Sequence, residues 1–212
     1  FEEYCECIYE LQEDNVDLIQ ARIADRLKVS RASVSEMIKR MESEGLVNLN
    51  GSKIALTTQG QTLAEGIVRK HRLAECFLID VLGLSWSAAH HEACKWEHVI
   101  SADVEEGLVR LLGNPTTCPH GNPIPGTALS NVTVTALAKV AQGTRFTVVR
   151  IPEEIEERDG ALHDLQSQHI TPGRECTLVE HRNGAAQLIV HNTTDHAATL
   201  DSFVSARLLV TQ

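Results

Sequence analysis

Four side chains in the segment HHEACKWEH, namely His90, Cys94, Glu97 and His98, follow one another at offsets of four, three and one. On an α-helix those offsets line up along one face. Imidazole, thiolate and carboxylate in a single stripe make a mixed site that suits a divalent first-row transition metal and matches calcium or magnesium poorly. Taken singly, each residue is as well explained by an amphipathic helix with Cys94 buried and its charges solvated. Four potential ligands on one stripe favour the metal. Glu3 with Glu6, three apart, and His71 with Glu75, four apart, add potential ligands from remote segments.

A metalloenzyme is one use of such residues, because a His/Cys/Glu site with an open position activates water. The chain lacks H-E-x-x-H, however, and its carboxylates look committed as ligands. A metal storage or interaction protein is another use. The elements around the ligands favour a third.

From Tyr4 to Val47 apolar residues recur at helical spacing, with breaks near Asp14 to Val16 and Val29 to Ser30. Three short helices follow from this, the second about Leu18 to Leu27 and the third about Ser33 to Glu44. Two amphipathic helices joined by the short KVSR turn predict a helix-turn-helix. Ser33 and Glu36 also fit a capping box. The next segment, LVNLNGSKIALTTQG, sets short apolar runs on either side of Asn50-Gly51, which predicts a type I′ hairpin and hence a wing.

The net charge of −10 argues against a protein held to nucleic acid by phosphate attraction alone. Between Arg26 and Arg40, though, lie Arg26, Lys28, Arg31, Lys39 and Arg40 against the single acid Glu36, so one local face is basic. With the third helix in a major groove, Ser30, Arg31, Ala32, Ser33, Ser35 and Glu36 reach base edges, while Lys39 and Arg40 grip phosphates. Arg31 is placed to pair with guanine, and the Ala32 methyl to touch a thymine methyl. For Ser33 and Glu36, helix capping is at least as good an account.

Helical stretches follow from Gln61 to Leu84 and from Ser87 to Leu112, the second carrying the metal stripe. NPTTCPHGNPIPG, Asn114 to Gly126, reads as an ordered loop, and a linker runs to about Thr133. From Val134 on, VTALAKV, RFTVVRI, CTLVEH, AAQLIV and SARLLV predict about five strands in a small barrel. The expected fold is therefore mostly α in its N-terminal two-thirds, with a small all-β end. Expected domains are 1–64 for DNA binding, 65–126 for metal binding, 127–133 as linker and 134–212 as the β module. Metal bridges fix geometry that the metal-free chain leaves open, so the predicted device is a switch that draws the first helix of the DNA module against the metal-bearing domain. Without a cation, Glu3, Glu6, Glu75 and Glu97 would repel one another.

A chain of 212 residues buries a substantial core without help from disulfides. Its six cysteines form no C-x-x-C pair, which fits reduced thiols in a cytosol. No run approaches the roughly eighteen apolar residues of a membrane span, and the acidic opening FEEYCEC is unlike a secretory signal, so a cytoplasmic protein is expected. His120, His163, His169, His181, His191 and His196 lack ligand spacing and receive no function. For Cys5 and Cys7, one core position and one exposed position are the expectation.

RIADRLKVSRASVSEMIKRMESEGLV, RKHRLAE, HEACKWEHV and GNPIPG together resemble the diphtheria toxin repressor family of metal-dependent transcriptional regulators, nearly continuously from Glu2 to Gly126. The resemblance implies a winged helix-turn-helix, a helical dimerisation domain and a C-terminal SH3-like barrel, in a homodimer that binds a near-palindromic operator when metal is bound and represses metal-uptake genes. No membrane or small-molecule substrate is implied. By position, His71, Glu75 and His90 fall on the family's ancillary-site ligands, and Cys94, Glu97 and His98 on its primary-site ligands, giving two metal ions per chain. Iron-sensing members have methionine where this chain has Glu3. Manganese-sensing members are similar to this chain in a carboxylate there and a second acid one turn on, as at Glu6. Oxygen ligands favour Mn(II), Cys94 pulls toward Fe(II), and manganese is the favoured ion. Iron-type members also draw ligands from the third domain. In EERDGALHDL, Glu157, Asp159, His163 and Asp164 are the nearest equivalents, and solvated surface is the favoured account of all four.

Overall fold

A computed structural model describes residues 1–128, 132–191 and 194–212. The chain divides into two compact units, Phe1–His71 and Arg72–Gln212.

The first unit opens with α1 (Glu2–Glu13), α2 (Gln20–Leu27) and α3 (Arg31–Ser43). On α3 the residues Val34, Ile38 and Met41, at the i, i+4, i+7 positions of one stripe, are wholly buried with Ile23 of α2 and Ile8 of α1. Each such burial stabilises the unit by about 1.5–3 kcal/mol. Lys28 takes a left-handed conformation (φ 54°) that stops α2 and leads into the turn. The cap of α3 is Ser30, whose Oγ accepts from Ser33 N at 3.1 Å. This replaces the expected Ser33 cap: Ser33 is already in the first turn, and its hydroxyl lies 2.8 Å from that of Ser30.

The wing is β1 (Val47–Asn50) against β2 (Lys53–Leu56). Asn50 pairs with Lys53, so the loop is Gly51-Ser52, one residue later than predicted. Of the two loop residues only Gly51 has positive φ (64°), which is the requirement of a type II′ rather than a type I′ turn. Helix α4 (Thr58–Cys76) begins in this unit and runs into the next.

In the second unit α4 ends in a π-helical turn, Phe77–Val81. The predicted single helix from Ser87 to Leu112 is two helices, α5 (Trp86–Trp96) and α6 (Ala102–Leu111). Ser101 divides them, because its side chain accepts from Val104 N and so starts a new helix. The β module holds six antiparallel strands: β3 (Thr135–Ala136), β4 (Arg145–Arg150), β5 (Glu175–Arg182), β6 (Ala185–Val190), β7 (His196–Leu200) and β8 (Leu209–Thr211), in the order β3-β8-β4-β5-β6-β7. Short helices α7 (Glu153–Glu156), α8 (Ala161–Ser167) and α9 (Ser202–Ser205) interrupt them. Three of the strand expectations change. VTALAKV is largely a 3-10 turn, SARLLV starts in α9, and HAATL forms a strand despite its small side chains. The linker 127–133 lies partly outside the described residues.

Two cores fill this unit. Leu73, Leu78, Ala89, Ala93 and Ile124 pack among the helices, and Phe146, Val148, Ile155, Leu178 and Leu188 pack inside the β module. Trp86 of α5 belongs to the second core, not the first. Among the described residues no helix is long and apolar enough to cross a membrane.

Candidate metal centre

The richest ligand cluster within one unit gathers on four elements of the second. Glu75 projects from α4 and His90 from α5, Cys118 and His120 stand on the tight turn of the Pro-rich loop, and Glu156 ends α7. The turn is closed by Gly121 N donating to Cys118 O at 2.9 Å and Cys118 N donating to Asn122 O at 2.9 Å. It lies flush on β4, where Ile151 N donates to His120 O at 2.8 Å. Gly121 is required there: its φ is 85°, and a Cβ would meet Val149 O at 2.1 Å.

Ligand atoms of Glu75, Cys118 and His120 all lie within 4.8 Å of one another, as do those of Glu75, His90 and Glu156. His90 Nδ1 is 3.1 Å from Glu75 Oε1 and 3.3 Å from Glu156 Oε2, and His90 Nε2 is 3.7 Å from the half-exposed Glu157. His120 Nδ1 is 2.7 Å from Glu156 Oε2 and 3.3 Å from Glu75 Oε1. Neither approach has hydrogen-bond geometry, so this wholly buried imidazole is held to the two carboxylates by charge, without a well-formed hydrogen bond. Buried polar atoms ordinarily have one. The indole of Trp86 stands edge-on to His120, 4.8 Å between ring centroids.

The charges of the cluster compensate one another. Burial by itself would depress the His90 and His120 pKa values, but the carboxylates around them outweigh it, and both imidazoles are pushed well above their ordinary value: His90 by Glu156, Glu157 and Glu75, His120 by Glu156 and Glu75. Burial acts against the charged form of Glu156, and His120 and His90 reverse that, holding it ionised. Burial and then the Glu75 charge push the Cys118 thiol up to about 11, against a smaller opposing effect of His120. Protons thus occupy the positions that a cation would take. The donor set fits a divalent transition metal: two imidazoles, two carboxylates and a thiol, with the buried His120 ring lacking a well-formed hydrogen bond.

A second layer of polar contacts frames the cluster. Arg72, wholly buried one turn before Glu75, pairs with Glu153 of α7 at 3.0 Å and donates to Pro123 O. Asn122 donates to Ile151 O and to Glu156, and accepts from Arg150 Nε.

Glu75 and His90 thus come together as expected. Cys118, His120 and Glu156 were not anticipated, although Cys118-Pro-His120 before Gly-Asn-Pro is itself a ligand pair in a tight turn. Glu156, not Glu157, is the third-domain carboxylate at the centre, and Asp159, His163 and Asp164 are exposed, in keeping with solvated surface. Cys94 is half-buried, and Glu97 and His98 follow α5, with Glu97 Oε1 3.2 Å from His98 Nε2. In the first unit Glu3 is exposed, while Glu6 on α1 and His71 on α4 are buried. Cys5 and Cys7 are both buried, where one had been expected at the surface.

On the recognition helix Ser30, Arg31, Ala32, Ser33, Glu36, Lys39 and Arg40 are exposed, as is Lys28 in the turn, and Ser35 is half-buried. Arg26 departs from expectation. Its guanidinium pairs with Glu10 of α1 at 2.7 Å with about a tenth of the side chain exposed, so it braces α1 to α2 instead of facing a phosphate. The Arg40 guanidinium lies 5.5 Å from the centroid of the Phe1 ring.

Comparison with known proteins points the same way. Residues 1–55 match the family described as iron dependent repressor, N-terminal DNA binding domain, and residues 57–126 the one described as iron dependent repressor, metal binding and dimerisation domain. The chain is 38% identical over 201 residues to the iron-dependent repressor IdeR of Mycobacterium leprae, covering 89% of this chain and 87% of that protein. It is also 38% identical over 206 residues to the diphtheria toxin repressor of Corynebacterium diphtheriae, covering 92% and 89%. Among solved structures, a manganese-dependent transcriptional repressor in complex with manganese superposes with a TM-score of 0.89 at 27% identity, over 99% of this chain and 98% of that one.

Proposed function

This chain belongs to the diphtheria toxin repressor family of metal-dependent transcriptional repressors, and on that premise we propose that it is a cytoplasmic homodimer that binds a near-palindromic operator when Mn(II), or secondarily Fe(II), is bound, and so controls metal uptake and homeostasis genes. Its relatives are repressors, which leaves the hydrolase and storage readings without support.

The observation that carries the metal half of this reading is the buried cluster of the second unit, where the His120 ring lies 3.3 Å from a Glu75 oxygen and 2.7 Å from a Glu156 oxygen without a well-formed hydrogen bond. Glu75, His90, Cys118, His120 and Glu156 would hold one ion. The cation would supply fixed positive charge at a point where the metal-free chain relies on two protonated imidazoles. From their positions in the sequence we further propose His71 as a ligand alongside Glu75 and His90, and Cys94, Glu97 and His98 with Glu3 and Glu6 as ligands for a second ion. Carboxylates among both sets favour manganese, and the thiols draw toward iron.

For the DNA half, Lys28, Arg31, Lys39 and Arg40 supply an exposed basic face on an acidic chain. Arg31 and Ala32 open α3 and are proposed to read base edges, together with Ser30, Ser33, Ser35 and Glu36; Lys39 and Arg40 are proposed to hold phosphates. The modules of the proposal are 1–64, 65–126 and 134–212.

The decisive experiment is anaerobic fluorescence anisotropy on a duplex from the chain's own promoter, titrated with Mn²⁺ and Fe²⁺ separately against a chelated control. Binding only with metal is expected, at a lower Mn²⁺ than Fe²⁺ concentration. Binding in the chelated control, or none with either ion, would refute the switch.

A further inference from the structure

We infer that Asn122 is the positioning residue of the buried metal cluster: its side-chain amide fixes the rotation of the Glu156 carboxylate while its backbone closes the turn that carries Cys118 and His120. The inference rests on the reading of that cluster as a metal site.

Asn122 is wholly buried, and its amide group is fully used. Nδ2 donates one hydrogen to Ile151 O at 2.9 Å and the other to Glu156 Oε1 at 2.5 Å, and Oδ1 accepts from Arg150 Nε. The two ends of the amide are assigned by chemistry, since a guanidinium only donates and a carbonyl oxygen only accepts. With Oε1 held, Glu156 turns Oε2 toward His120 at 2.7 Å and His90 at 3.3 Å. The Asn122 backbone carbonyl meanwhile accepts from Cys118 N at 2.9 Å, across the turn whose third residue is His120. One residue therefore sets the spacing between ligands carried by the loop and the ligand carried by α7. Partners that orient metal ligands in this way are worth about 10- to 100-fold in metal affinity when removed.

The test is a cobalt(II) titration of the full chain carrying Cys94→Ser, reading thiolate-to-cobalt absorption from Cys118, with far-UV circular dichroism as the check on folding. Asn122→Asp sets an oxygen against two acceptors, and Asn122→Ser removes the donation without adding charge. Both are expected to weaken cobalt binding about 10- to 100-fold. If Asn122→Asp does not fold, Asn122→Ser carries the comparison. Cobalt affinity unchanged in folded Asn122 variants overturns the positioning role. Cobalt absorption unaffected by His120→Ala instead overturns the cluster as a metal site, and the role of Asn122 falls with it.

Discussion

His120 and Glu156 meet at 2.7 Å, both side chains wholly shielded from solvent, one on the loop that follows α6 and the other on a four-residue helix of the β module. A charged pair in that setting is stabilising only while it is complete, because losing one member leaves a buried charge uncompensated.

His120→Ala therefore leaves Glu75 and Glu156 facing one another across the cluster. The metal-free chain is expected to lose about 3–5 kcal/mol of stability. Urea unfolding in the presence of chelator measures it, and a midpoint equal to the parent's would show that the pair contributes nothing.

The raised pKa values of His90 and His120 set the direction of the pH dependence. Above the ordinary histidine value near 6.5 an unfolded chain releases these protons while the folded, metal-free chain keeps them. The stability that they contribute is complete below about pH 6.5 and drains away as pH rises toward the folded values. Chelated protein is thus expected to unfold at lower urea at pH 9 than at pH 7. Metal uptake should expel on the order of three protons per ion, because the two ligating imidazoles are neutral and the Cys118 thiol, pushed up to about 11, binds as the thiolate. Calorimetry at pH 7 in buffers of different ionisation enthalpy counts them; a heat independent of buffer would contradict the protonated cluster.

Arg72 and Glu153 make a second buried pair, 3.0 Å apart. Arg72→Met alone strands the Glu153 carboxylate and is expected to cost about 3–5 kcal/mol, whereas Arg72→Met with Glu153→Leu should recover most of the loss. A double-mutant cycle in urea reads the coupling, and additive losses would mean that the pair does not act as a unit.

Two arginines of the DNA-binding region are expected to behave oppositely. Arg31→Ala should leave stability within about 0.5 kcal/mol of the parent and weaken operator binding by about 1–3 kcal/mol. Arg26→Ala should destabilise the first unit by removing the brace to Glu10. Anisotropy and thermal melts on both variants separate the two roles; a full-strength operator complex with the Arg31 variant would remove Arg31 from the base-reading set.

Much of the first unit was legible because its signals are local. The apolar stripe of α3, the short turn before it and a glycine in the wing loop each depend on neighbours in sequence; the departures there are one cap, the register and type of the wing turn, the pairing of Arg26 with Glu10, and the burial of both Cys5 and Cys7. The metal cluster was half legible. His90 and Glu75 stand at helical spacings within recognisable segments, but Glu156 is one of five acids in PEEIEERD, and only its burial against His120 distinguishes it. His120 was dismissed for lacking a partner at ligand spacing, since its partners lie 45 positions before and 36 after it, brought in by packing that no periodicity encodes. The split between α5 and α6 turned on one serine hydroxyl, and the strand at His196–Leu200 on alanines with weak β preference.

Trp86 begins a helix yet fills the interior of the β module, beside Ile155 and Leu165 and edge-on to His120. A fragment cut after Gly126 would therefore carry away a piece of the module's interior, leaving a cavity the size of an indole. The C-terminal third is not an interchangeable part: exchanged between relatives, it has to travel with the helix start that plugs it, and any drift in the size of residue 86 has to be answered on the sheet.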